Sequence, residues 1–117
     1  MGFAEIERQE REWAERAQKA QAAAAQAYER LLSLAEKENS GQVRRVAYFI
    51  AATFDGQTFP LDLFELRTVD VSISDDMLCC LDALRWGKAD LYKLVPDGHA
   101  RILRMCSAWG IHWPSQT

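Results

Sequence analysis

The sequence predicts an all-α protein, a small helical bundle with a long N-terminal heptad-patterned helix. Three observations carry that prediction. Apolar and alanine residues recur at spacings of three and four over the first third of the chain. Later apolar residues form i, i+3, i+4 stripes, and short cap-and-turn clusters separate them: Asn39-Ser40-Gly41, Asp55-Gly56, Gly87 and Gly110. The 117 residues, 49% of them hydrophobic, suffice for one modest core and not for two independent domains.

The first helix is expected from about Phe3 to Glu38, a length on the order of 50 Å. Its ladder is Phe3, Ile6, Glu10, Trp13, Ala17, Ala20, Ala24, Ala27, Leu31 and Leu34, the 3.5-residue repeat of a helix packed along a seam. Most of its residues are good helix formers, and Glu7/Arg11, Glu12/Arg16 and Glu15/Lys19 are i,i+4 pairs in the favourable order. The alanine middle lets another backbone come close but buries little area, so the ends must anchor the seam: Phe3, Ile6 and Trp13 on one side, Tyr28, Leu31, Leu32 and Leu34 on the other.

This pattern predicts a homodimer through the N-terminal helix, with Phe3, Ile6, Trp13, Ala17, Ala20, Ala24 and Tyr28 at the interface. An antiparallel pairing is favoured, because a parallel one brings two Glu10 carboxylates together. The alternatives are a solvated extension and an arm folded back on its own domain. Residues 1–38 then form a coiled-coil-like arm, and residues 39–117 a compact helical domain packed with the end of the arm.

The second helix opens with Asn39 as N-cap and Gln42 three residues on, a variant of the capping box. Val43, Val46, Ala47, Ile50, Ala51 and Phe54 form its core stripe, and Asp55-Gly56 ends it. Pro60 then suits the first turn of a brief helix reaching about Arg67, although weak alternation over Thr58 to Leu63 makes a short strand the rival reading. A third helix runs from about Val69 or Ser72 to Trp86. Its face is Val69, Ile73, Met77, Cys80 and Leu84, widened by Leu78 and Leu81, and Asp75 and Asp76 suit its N-terminal dipole. Gly87 closes it. One helical turn is expected around Leu91, Tyr92 and Leu94, before Pro96. A last helix from about Asp97 to Trp109 turns Ile102, Leu103, Met105, Cys106 and Trp109 inward, with Gly110 as the stop and an apolar tail of Ile111, His112 and Trp113.

Composition excludes several functional classes. A net charge of −3, from 17 acidic and 14 basic residues, argues against polyanion affinity driven by overall charge. No stretch approaches the roughly 18 apolar residues of a membrane span, and the first twelve residues are too charged for a secretory segment, so a cytoplasmic protein without membrane attachment is expected. The cysteines agree: three is an odd number, and the side chains of Cys79 and Cys80 diverge by about 100° on a helix, so reduced, buried thiols are expected. There is no phosphate-binding lysine loop, dinucleotide glycine fingerprint, HExxH or CxxC, so neither an enzyme nor a cofactor is expected. Cys79, Cys80, Cys106, His99 and His112 lack metal-ligand spacing, so no metal is expected.

Charge distribution is uneven. Between Asp55 and Asp82 the acids Asp55, Asp62, Glu65, Asp70, Asp75, Asp76 and Asp82 face a single base, Arg67. Asp62, Glu65, Asp75 and Asp76 are therefore expected to form a second, acidic contact fitted to a basic groove, while helix capping and solubility explain the same acids without a partner. The alternative function is a small DNA-associated regulator, which needs Arg44, Arg45, Arg101 and Arg104 on one face; with an acidic whole and no recognition-helix pattern, direct nucleic-acid binding is not expected.

Ala27-Tyr28-Glu29-Arg30-Leu31-Leu32, Ser40-Gly41-Gln42 with Arg44-Arg45-Val46-Ala47, Ser74-Asp75-Asp76-Met77-Leu78 and Trp113-Pro114 together resemble an uncharacterised bacterial domain family found on plasmids, integrative elements and phage-like islands, with no assigned activity. The resemblance spans about Ala27 to Pro114, leaves the arm outside, and assigns no functional residue. It implies accessory mobile-element biology, in which small proteins are often binders or inhibitors, anti-CRISPR proteins among them. The function expected is a non-enzymatic protein-interaction module that binds or inhibits a host or phage-defence protein.

Overall fold

The computed structural model describes residues 2–114. Helix α1 spans Phe3–Lys37, α2 Gly41–Phe54, α3 Val71–Trp86 and α4 Gly98–Ala108, with 3₁₀ turns at Leu63–Arg67 and Leu91–Leu94. The described residues contain no strand, so the stretch from Thr58 to Leu63 is irregular chain leading into the first 3₁₀ turn.

Helices α1 and α2 form an antiparallel hairpin. Ser40 rather than Asn39 is the N-cap of α2, its hydroxyl accepting from the Val43 N–H at 3.3 Å. Gln42 does not complete a capping box. It reaches across to the start of α3, where its carbonyl accepts from the Asp70 N–H and its amide donates to the Asp70 carboxylate at 3.1 Å. At the other end of the hairpin the Tyr28 and Thr53 hydroxyls are hydrogen-bonded at 2.9 Å. Tyr28 is fully buried, and burial holds its phenol well above the usual tyrosine range.

Helix α3 runs back along α1. Arg30 grips Asp76 with two hydrogen bonds of 2.8 and 3.0 Å near the start of α3, and the Arg16 guanidinium lies 5.2 Å over the Trp86 ring at its end. The alanine seam lies inside this arrangement. Ala17, Ala20, Ala24 and Ala27 are buried, the last three in one core with Met77, Cys80 and Ala83, which Tyr28, Leu31 and Leu32 continue. The close approach that small residues permit is therefore made to the chain's own elements. Ala17, Ala20, Ala24 and Tyr28, expected at a homodimer interface, are covered by their own domain. The arm expected over residues 1–38 shortens to its first four turns, because only Phe3–Arg16 is exposed throughout.

Helix α4 closes the bundle. Arg101 is nearly buried and donates to Glu29 at 2.6 Å and to Glu36 at 2.8 and 3.1 Å, which raises the affinity of its guanidinium for its proton. The Trp109 indole N–H donates to the Ala35 carbonyl at 2.8 Å. The helix ends in a Schellman motif: Gly110, at φ 72°, donates to the Ser107 carbonyl and Ile111 to the Cys106 carbonyl. Trp113 folds back with its indole N–H 3.0 Å from the Asp55 carboxylate and its ring edge-on to Phe59. Hydrogen bonds from Thr58 and Trp113 hold the Asp55 carboxyl below the usual carboxylate range.

The three cysteines are free. Cys80 and Cys106 are buried and Cys79 is partly accessible. Burial pushes the Cys80 thiol up to about 12 and the other two upward. At pH 8 an aromatic disulfide reagent is expected to label Cys79 slowly in the native protein, and Cys80 and Cys106 only on unfolding. Rapid native labelling of all three would contradict this packing.

Candidate functional site

The site is built on the part of α1 that the body leaves uncovered. The heptad phase of the buried seam continues unbroken into Phe3, Ile6, Glu10 and Trp13, and all four are exposed. Phe3 is 77% exposed, Ile6 41% and Trp13 47%, on one helix face. Apolar side chains of this size at helical spacing, outside the body, make this stretch a candidate docking face. The projecting portion is about 20 Å long.

The root of the arm is braced by aromatic and cationic groups. The Trp86 ring has two guanidiniums over it, Arg16 at 5.2 Å and Arg85 at 4.9 Å. Its indole nitrogen is buried without a hydrogen-bond partner among the described residues. Beside the root, a groove of about 400 Å³ runs along α1, floored by Ala14, Ala22 and Ala25 with Gln18, and walled by Leu94 and Lys88. Lys88 makes no ion pair among the described residues. Alanine periodicity made the seam legible, but the groove is formed only when the Gly87–Leu94 segment comes alongside α1, which no local pattern announces.

The acidic contact expected at Asp62, Glu65, Asp75 and Asp76 is largely engaged within the fold. Asp62 caps the first 3₁₀ turn by accepting from the Phe64 N–H at 3.0 Å, and Glu65 pairs with Arg45 at 2.5 Å. Asp76 is held by Arg30; Asp75 is exposed and makes no ion pair among the described residues. The arginines of the DNA reading also separate. Arg45 and Arg101 are paired with glutamates, whereas Arg44 lies 5.4 Å over the Trp109 ring and Arg104 is exposed. His99 is exposed and stacks on Phe54 at 5.3 Å. Among the described residues no three histidine, cysteine or acidic side chains converge into a metal-holding group, and no helix is long and apolar enough to cross a membrane.

Residues 25–110 match DUF7673, a family of unknown function. The chain belongs to the DUF7673 family. The match starts at Ala25, so the DUF7673 region contains α2, α3, α4 and the last part of α1, while the projecting arm and the residues Ala14, Gln18 and Ala22 of the groove lie outside it. No curated protein and no solved structure matches the chain.

Proposed function

We propose that this DUF7673 protein is a non-enzymatic protein-interaction module whose docking element is the projecting arm of α1, and that it self-associates through that arm. The observation that carries the reading is the exposed, in-phase face of Phe3, Ile6 and Trp13 on a helix whose seam from Ala17 to Leu31 is buried. The upward-shifted thiols speak against a nucleophilic cysteine, which needs the opposite shift. Free cysteines agree with the reducing cytoplasm. A target among host or phage-defence proteins, with inhibition of the anti-CRISPR kind as one form, rests on the mobile-element resemblance. The DNA-associated alternative draws on Arg44 and Arg104, the two of its four arginines without a carboxylate partner among the described residues.

Ile6→Glu tests the reading, because it places a carboxylate on the exposed face without touching the core. Light scattering on the full chain is expected to give a dimer for the wild type and a monomer for Ile6→Glu, with unchanged circular dichroism. A wild-type monomer at tens of micromolar would remove self-association; an Ile6→Glu dimer would remove the arm as its device.

A further inference from the structure

We infer that the groove beside the root of the arm is the receptor for the arm of a second copy, so that two chains exchange arms about a two-fold axis near Ala14. The inference rests on the arm-docking reading above and names its occupant.

Knob and hole are carried by the same chain and match in length. Eleven residues separate Phe3 from Ala14, and eleven separate Ala14 from Ala25 at the far end of the groove floor, about 16 Å in each case. Eleven residues are close to three full helical turns, so Phe3, Ala14 and Ala25 fall on one line parallel to the axis of α1. A two-fold contact requires the same patch on both partners to face itself, and that line satisfies the requirement. It sets residue i of one chain against residue 28 − i of the other: Phe3 against Ala25, Ile6 against Ala22 and Glu10 against Gln18. Phe3 of one arm thus meets an alanine of the other chain and Ile6 lies level with one, while Trp13 falls level with Glu15. The floor is open to receive them, with Ala14, Gln18 and Ala22 exposed and Ala25 half-buried.

Charge sets the register. Glu10 interrupts the apolar face of the arm, and in a symmetric arm-to-arm coil it is a flaw. In the exchanged arrangement it arrives beside Gln18 of the partner chain, in the groove that Lys88 walls. Each dimer then contains two Glu10–Lys88 contacts across the interface. The contact also gives Lys88, which has no carboxylate partner among the described residues, one across the interface.

The test is a charge swap on the full chain, read by sedimentation equilibrium. Glu10→Lys and Lys88→Glu are each expected to weaken dimerisation at least tenfold, and the double variant carrying both is expected to restore it. Both positions are exposed, so the circular dichroism spectra should stay with the wild type. Loss of the dimer in Ile6→Glu with no effect of either charge reversal would overturn arm exchange while leaving the arm as the docking element. A monomeric wild type would overturn the second copy as occupant.

Discussion

Gly98→Ala is expected to destabilise the protein by about 3 kcal/mol or more. A β-carbon at this position would lie 1.9 Å from the Tyr92 carbonyl oxygen and 2.9 Å from the Val95 side chain. The obstacle is backbone, so no rotamer change relieves it; the second 3₁₀ turn and the start of α4 must move apart. Asp97, just before, already has φ 53°, the left-handed region, which fixes the chain's entry into α4. Denaturant unfolding would measure the loss. A change below about 1 kcal/mol would mean that the 3₁₀ turn and α4 are not in the contact described.

Phe49→Ala is expected to cost about 4 kcal/mol and to lower the melting temperature by more than about 10 °C. Its ring is fully buried within the core. Trp13→Ala, a larger truncation at a half-exposed site, is expected to leave the stability within about 0.5 kcal/mol. That contrast separates the folding face of the chain from the exposed face proposed for docking. If Trp13→Ala lost as much stability as Phe49→Ala, the arm would be part of the core.

Most of the fold is legible in sequence because each helix declares its own period. The stripe Val43, Val46, Ala47, Ile50 and Ala51 is buried as spaced, and Gly87 and Gly110 stop their helices with left-handed φ. Phe49 was not part of that stripe. It is buried because α2 contacts both α1 and α4 and so has more than one covered side, a tertiary fact. Leu78 and Leu84 err in the other direction: expected on the covered face of α3, they are exposed, while Ala83 is buried. Gln42 shows the limit of local motifs, since its spacing fits a capping box and its amide instead ties α2 to Asp70. The candidate site was half legible. Phe3, Ile6 and Trp13 can be read as an exposed apolar face, but the heptad could not say that its alanine portion belongs to the chain's own core.

Because α1 is a single uninterrupted helix, its buried half acts as a permanent template for the exposed half. A free peptide of about fourteen residues is marginally helical at best, since the first turn forms with a probability on the order of one in a thousand, an entropic penalty of roughly 4 kcal/mol. The arm never meets that penalty. It only adds turns to a helix that the body has already started, and its disorder is confined to fraying from Phe3 inward. Whatever binds the arm finds it already ordered, and amide protection along α1 should fall off gradually toward the N-terminus rather than stop abruptly at Ala17.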